Sequence, residues 1–147
     1  MQQGLGEFIA AHRGRVGLVS LTAPLISNLS VWGNIALVPQ YHQNKPEREA
    51  RAETLGLLGR FGMEQVAERR NAGLTAEERF CTMLLRAAMV ANAVLVLDRP
   101  FSILTTVRAG HSLADALRKV DDLIAETHIF DYSWETERYG GLDVAAD

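Results

Sequence analysis

The sequence has very little cysteine and lysine. Cys81 is the single cysteine among 147 residues, so an internal disulfide is excluded and a reducing compartment is expected. We interpret Cys81 as a small apolar residue on the inner side of a helix. The only lysines are Lys45 and Lys119, and neither follows a glycine-rich turn. The sequence therefore offers no lysine in the setting that phosphate-binding loops require.

Long apolar runs and an excess of positive charge are also absent. No segment reaches the roughly 18 consecutive apolar residues needed to cross a bilayer, and Met1–Arg15 lacks the basic start and apolar run of a signal peptide. Thirteen Arg and two Lys are scattered among 18 acidic residues, for a net charge of -3. We predict a cytoplasmic protein with no direct membrane insertion and no nucleic-acid partner.

The rest of the composition indicates one globular domain. Hydrophobic residues make up 48% of the chain and charged residues 22%, which is enough to bury a core at this length. His12, His42 and His111 have no cysteine or carboxylate at metal-ligand spacing, so no metal site is predicted.

The stretch from Leu74 to Ser102 predicts a helix, a buried strand and a carboxylate. Thr75 is a helix N-cap, and Glu78 three residues later completes a capping box. The unbroken apolar run Val94–Leu97 is typical of a parallel strand covered on both faces. Asp98 follows at the point where such a sheet presents ligand-binding groups. These features define an α/β fold.

The same residues resemble the nucleotide-binding domain of ATP-binding-cassette (ABC) transporters. Leu74–Glu78 stands at the family's LSGGQ signature, Val94–Asp98 at its Walker B strand, and Pro100–Ser102 within the DEPFSALD segment that follows. Upstream, GRVGLVSLTAPLISNLSVWGNIAL is similar to the Q-loop and the permease-facing segment. Within the family, NLSVWGNIAL and RRNAGLTAEER favour the ATP-binding subunits of bacterial lipid-asymmetry transporters.

The resemblance implies a partial P-loop NTPase sheet of the ABC-ATPase type, with a helical subdomain and without the P-loop strand. It divides the single domain 1–147 into a Q-loop-like region (16–43), a helical subdomain with the signature helix (44–92), and a Walker B-like strand with a C-terminal helix and strand (93–139). Because the family's P-loop strand lies inside the sheet, we expect Met1–Gly14 or another chain to cover the edge left open.

Local patterns place the remaining elements. A helix is predicted from Pro46 to about Phe61, and another is capped at Ser112 with Ile124 on its inner face. Thr127–Tyr132 is predicted to be a strand, followed by a tail that frays from Gly140.

Residues at the family's catalytic positions do not support ATPase chemistry. The P-loop pattern GxxxxGKS/T is absent from the sequence. Arg99 stands where the catalytic glutamate is expected, and because arginine stays protonated it cannot act as a general base. Leu21 and Thr105 replace the Q-loop glutamine and the D-loop aspartate, and His128 is interpreted as a strand residue rather than the switch histidine.

Two residues match cofactor-binding positions and are predicted to be vestigial. Asp98 corresponds to the Walker B aspartate that would hold magnesium, and Thr75 to the signature serine. Glu77 and Glu78 suit a helix dipole but repel a phosphate, so Thr75 is foremost a helix cap. We hypothesise that Arg99 pairs with Asp98 and supplies the charge that a metal would supply. No catalytic residue or cofactor is predicted, and ATP with Mg²⁺ would bind only if a partner chain completed the site.

An apolar loop is predicted to bind a partner. The candidate partner-binding residues between positions 21 and 32 are Leu21, Pro24, Leu25, Ile26 and Trp32. In the ABC family this region receives a short helix from the membrane subunit. The alternative is that these residues cover the local core. The predicted partners are a membrane permease subunit or another ABC ATPase-like chain, including a second copy of this one.

The leading functional hypothesis is a degenerate ABC ATP-binding subunit that cannot bind or hydrolyse ATP alone. It would act as a structural or regulatory partner of a transport complex at the inner face of the membrane. The alternative is an ATPase half-site that completes the nucleotide site of a chain with an intact P-loop. A third reading is a truncated gene product.

Overall fold

A parallel β-sheet forms the centre of the protein. The computed structural model describes residues 2–106, 108–140, 142 and 144–146. Within these ranges the sheet has four strands, all parallel, in the spatial order β1-β2-β3-β4. They are β1 Val16–Val19, β2 Ala93–Asp98, β3 Ile124–Asp131 and β4 Val144–Ala146. The α/β prediction is confirmed.

Six α-helices surround the sheet in the described part of the chain. They are α1 Gln2–Ala11, α2 Val31–Ile35, α3 Leu37–Tyr41, α4 Glu47–Gly59, α5 Ala76–Ala88 and α6 Ala109–Arg118. Short 3₁₀ helices lie at Glu64–Val66, Asn71–Gly73, Pro100–Ser102, Asp121–Leu123 and Ser133–Tyr139. The longest helices, α4 and α5, have 13 residues, and none of those described here has the length and apolarity to span a bilayer.

Helix α5 and strand β2 follow the sequence closely. Glu78 N donates to Thr75 Oγ1 at 3.1 Å, and Thr75 N donates to Glu78 Oε1 at 2.9 Å, so the predicted capping box is present. All six residues of β2 are buried, as the unbroken apolar run predicts. Arg79 on α5 donates to Asn71 Oδ1 at 2.7 Å, which secures the turn before the helix.

The two faces of the sheet carry separate apolar clusters. Leu95 and Leu97 of β2 join the large core that includes α5, α2 and α6. Val96, which points to the opposite face because side chains alternate along a strand, packs with Leu5 of α1 and Phe130 of β3. The sheet is therefore covered on both sides.

Several predicted boundaries require correction. Helix α6 begins at Ala109 rather than near Ser112, and α4 ends at Gly59, before Phe61. Ile124 begins β3 instead of completing a helical face, because it pairs with Ala93 of β2. Apolar residues spaced three to four positions apart are typical of a helix. Pairing with the neighbouring strand β2 nevertheless makes Ile124 part of β3.

The N-terminal segment covers a face of the sheet rather than an edge. Residues 2–11 form α1, while the outer edge of β3 pairs with β4 through Ile129 and Val144. The expectation that Met1–Gly14 covers the open edge is therefore wrong for the described residues, and Met1 lies outside them. The predicted frayed tail contains β4, and residues 141, 143 and 147 also lie outside the described ranges.

Candidate functional site

The carboxyl ends of three strands place polar side chains at one edge of the sheet. Ser20 follows β1, Asp98 ends β2 and Asp131 ends β3, and all three are at most 4% exposed. Parallel pairing of the strands brings these ends side by side. This is the edge at which parallel sheets commonly bind ligands. We call Ser20, Asp98 and Arg99 the Asp98 cluster.

Both oxygens of Asp98 are engaged by protein groups. Ser20 Oγ donates to Asp98 Oδ2 at 2.6 Å, and Arg99 Nε donates to Asp98 Oδ1 at 3.3 Å. Burial works against the charge on Arg99, but the Asp98 carboxylate outweighs it and raises the pKa of the guanidinium. The pairing hypothesised from the sequence is thus present.

The backbone fixes Arg99 in place. Its φ of 47° lies in the left-handed region, which is uncommon for a residue with a side chain. Arg99 N donates to Phe130 O at 2.8 Å, and Ser102 Oγ donates to Arg99 O at 2.6 Å. These bonds hold a permanently charged group, which cannot accept a proton from water, beside Asp98.

A second buried carboxylate fastens the chain that follows β3. Tyr139 OH donates to Asp131 Oδ2, and Tyr132 N donates to Asp131 Oδ1 at 2.7 Å. Burial, and then the neighbouring Asp131, raises the pKa of Tyr139. Tyr139 also stacks on Phe101 with ring centroids 4.5 Å apart. Sequence reasoning missed this pair, and its one signal was an aspartate near a predicted strand end.

The predicted partner loop divides into exposed and buried residues. Leu21 and Ile26 are 57% and 43% exposed, and Pro24 is also exposed. Leu25 is buried at 6% exposure within the large core, so it is corrected from a surface residue to a core residue. We call Leu21, Pro24 and Ile26 the loop surface.

Trp32 needs a similar correction. It is only partly exposed and packs against the large core. Its Nε1 donates to Glu68 Oε2 at 3.3 Å, and the Arg51 guanidinium lies 5.6 Å from its ring centroid. Trp32 therefore joins α2 to the segment before α5 and lies outside the loop surface.

Two polar residues that the sequence analysis did not single out hold this loop. Arg86 of α5 donates to the carbonyl oxygens of Ala23 and Pro24, the latter at 2.9 Å, and burial lowers the pKa of Arg86. Asn34 Oδ1 accepts from Ile26 N at 2.8 Å, and Asn34 Nδ2 donates to Ile26 O at 3.2 Å. The sequence signal for Asn34 was an amide side chain among the apolar residues of NLSVWGNIAL, and the sequence analysis did not use it.

The two residues predicted to be vestigial, Thr75 and Asp98, do not line a common groove. A groove of about 290 Å³ beside Thr75 is lined by α5 residues together with Phe61, Gly62, Met63, Gln65 and Lys119, and Asp98 is not among them. In the ranges that the structure describes, no hydrogen bond links the two residues. The Thr75 hydroxyl is used by its own helix.

Comparisons with known proteins place the chain in a family. No protein-family model matches it. The sulfate/thiosulfate import ATP-binding protein CysA of Bordetella pertussis is 31% identical over 125 residues, which cover 83% of this chain and 35% of CysA. The molybdenum import ATP-binding protein ModC of Pseudomonas syringae pv. tomato is 30% identical over 108 residues, covering 74% of this chain and 29% of ModC.

The lipoprotein-releasing system ATP-binding protein LolD of Chromohalobacter salexigens is 28% identical over 113 residues, covering 77% of this chain and 46% of LolD. The chain is a homologue of ABC transporter ATP-binding proteins. This ABC homologue spans between 29% and 46% of the length of these curated relatives. These relatives are named for sulfate/thiosulfate import, molybdenum import and lipoprotein release, so the predicted lipid-asymmetry subtype stays a prediction.

Solved structures agree with the fold of the ABC homologue. A dimeric ATP-binding cassette in a post-hydrolysis state, bound to ADP and Pi, superposes with a TM-score of 0.66 at 19% identity, covering 91% of this chain and 60% of the cassette. A second dimeric bacterial ABC transporter cassette gives a TM-score of 0.62 at 19% identity, covering 84% and 55%. The ABC ATPase cassette fold is therefore the fold of this chain.

Proposed function

We propose that this ABC homologue is catalytically inert and serves as a structural or regulatory subunit of a transport complex. The observation that carries the proposal is the Asp98 cluster. Asp98, at the magnesium-binding position of the resemblance, is buried and bonded to Ser20 and Arg99. Metal coordination at Asp98 would require the Arg99 pair to open, and the neighbouring arginine would then repel the ion.

The signature-like helix supports the same proposal. In the resemblance, the backbone donors at this helix start meet a phosphate bound by another subunit. Here the backbone N–H groups of Thr75 and Glu78 are each bonded by the other residue's side chain. Glu77 adds a second carboxylate to the first turn. A phosphate approaching this turn meets negative charge and occupied donors.

The loop surface provides the contact that an inert subunit still needs. Leu21, Pro24 and Ile26 expose apolar area on a backbone held by Arg86 and Asn34. A preformed apolar surface loses little conformational entropy when it binds. We propose a membrane permease subunit as its partner, which places the chain at the cytoplasmic face of the membrane.

Membrane association tests this proposal. We expect the chain to sediment with inverted membrane vesicles of its source organism in EDTA without nucleotide, and to the same extent with ATP and Mg²⁺. Leu21→Asp and Ile26→Asp should abolish sedimentation. Tyr41→Asp is the matched control, because Tyr41 is 75% exposed but lies outside the loop surface.

Other outcomes count against it. Equal loss in the Tyr41→Asp variant would mean that the loop surface is not the contact. Sedimentation that requires ATP and Mg²⁺ would favour the alternative, an ATPase half-site completed by a chain with an intact P-loop. The dimeric state of the solved neighbours is the observation behind that alternative.

A further inference from the structure

Strand β1 has an outer edge that no other strand covers in the part of the chain that the structure describes. It is the first strand in the order β1-β2-β3-β4, and it pairs on one side only, with residues Val94–Leu97 of β2. A strand at the end of a sheet presents unpaired N–H and C=O groups, which are a template for another extended chain. The outer edge of β1 is therefore a candidate interaction surface.

The hydrogen-bond register shows which groups lie on this edge. Val94 N donates to Arg15 O at 2.7 Å. Because bonding alternates along a parallel pair, the N–H and C=O groups of Gly17 face β2, and those of Val16 and Leu18 face outward. None of these outward groups forms a backbone hydrogen bond outside the sheet within the described ranges. Two donors and two acceptors, at the spacing of a strand, are thus available to a partner.

An apolar groove of about 440 Å³ lies beside the outer edge, between α1 and β1. Its lining includes Ile9 and Ala10 of α1, Val16 and Leu18 of β1, and Arg13 between the two elements. Val16 and Leu18 are only partly buried, whereas the two residues that alternate with them are buried. Because side chains alternate along a strand, an added strand would place every second side chain over this groove. Apolar side chains suit those positions.

Positive charge marks one end of the outer edge. Arg13 and Arg15 are exposed just before β1, and neither forms a salt bridge within the described residues. The Arg15 guanidinium donates to Asn92 O at 3.4 Å. Glu7 is exposed on α1 and does not line the groove. A partner strand with carboxylates at this end would gain two exposed ion pairs.

A second copy of the chain does not supply those carboxylates. Two-fold pairing of β1 with itself is antiparallel, and when centred on the strand it sets Arg15 opposite Ser20 and Arg13 opposite Thr22. Neither Ser20 nor Thr22 is acidic, so the two arginines would face neutral hydroxyl groups. The charge pattern therefore favours a different protein as the partner.

We propose that the outer edge of β1 binds an extended acidic segment of a partner protein by strand addition. The backbone of that segment pairs with Val16 and Leu18, its apolar side chains enter the groove beside α1, and its carboxylates meet Arg13 and Arg15. Main-chain hydrogen bonds give such an interface its affinity, and side-chain pockets give it specificity. Binding here needs neither the loop surface nor the Asp98 cluster.

Amide hydrogen exchange of the whole chain, followed by NMR, tests strand addition. The probes are two blocked peptides of about eight residues, in which valine and threonine alternate and two aspartates stand at the amino or the carboxyl end. With one of them at about 1 mM, we expect the Val16 and Leu18 amides to exchange at least about twofold more slowly, because they exchange only from the unbound chain. The Gly17 amide, which already faces β2, should change less.

Substitutions on both sides test the role of charge. Replacing the two aspartates of the peptide with asparagine should weaken binding about two- to tenfold, and so should the double variant Arg13→Gln, Arg15→Gln. Arg48→Gln is the matched control, because Arg48 is exposed on α4 and does not line the groove. This variant should bind the peptide as the unmodified chain does.

Three results would overturn the proposal. The first is unchanged exchange of the Val16 and Leu18 amides with both peptides, and the second is equal slowing by the asparagine peptide. The third is slow exchange of these amides without peptide that increases with protein concentration, because a second copy would then occupy the edge. Amides of β2 serve as an internal reference for global stability, so a variant that loosens the whole fold is recognised.

Discussion

Asp98 shows how one replaced neighbour changes the chemistry of a carboxylate. A buried carboxylate requires compensation of its charge, and Arg99 and Ser20 supply it here. The pairing with Arg99 was predictable because the two residues are adjacent. The bond from Ser20 was not, because 78 residues separate the partners and only the β1–β2 register brings them together.

The Asp98 cluster should contribute measurably to stability. We expect Asp98→Asn to lower the free energy of unfolding by about 1–3 kcal/mol, because it removes the negative charge and leaves only one of the two buried acceptor oxygens that Ser20 and Arg99 bond. Denaturant titration measures the change. The control Asp121→Asn, at an exposed position, should stay within about 0.5 kcal/mol of the unmodified chain. Similar values for both variants would show that the cluster is not a structural unit.

The loop surface illustrates the limit of prediction at single residues. An apolar loop was correctly located, but composition could not tell which members point outward. Leu25 is buried and Leu21 exposed on a backbone that Arg86 holds between them, at Ala23 and Pro24, and that Asn34 holds just beyond, at Ile26. These hydrogen bonds join residues that are 62 and 8 positions apart, and the pattern of apolar residues along the loop does not predict them.

At the scale of elements, prediction succeeded where local signals suffice. The α5 capping box is read from residues three positions apart, and the structure contains both of its bonds. The start of α6 was missed because Arg108, the residue before it, makes no side-chain cap bond that would mark the start. The start of β3 was missed because its pairing with β2, rather than its own sequence, sets that boundary.

The packing of β1 against α5 gives an element-scale prediction. A Cβ at Gly17 would lie 2.2 Å from Ala87 O, a backbone atom that cannot move aside cheaply. We therefore expect Gly17→Ala to lower the free energy of unfolding by at least about 2 kcal/mol in denaturant titration.

Gly56 provides the matched control for this prediction. It lies inside α4 with nothing within 4 Å of an added Cβ. Gly56→Ala should raise stability by about 0.5–1 kcal/mol, because alanine loses less entropy in a helix. A tolerated Gly17→Ala would mean that β1 and α5 are not packed as closely as described.

At the scale of the whole molecule, the ABC resemblance predicted the fold class and the family from the sequence alone. The residues matched in the Walker B and signature regions carried that prediction, and homologues such as CysA and the ABC cassette fold confirm it. The position of α1 on the sheet face and the pairing of β4 with β3 were not predictable. Both depend on which surfaces the folded sheet leaves available.

We propose that the Asp98 cluster closes the carboxyl edge of this sheet to nucleotide. The most direct test is calorimetric titration of the purified chain with ATP and Mg²⁺, repeated with Asp98→Asn. We predict no binding tighter than about 1 mM for either protein. Micromolar binding that Asp98→Asn abolishes would contradict the claim, because it would show that Asp98 is free to hold a metal-bound nucleotide.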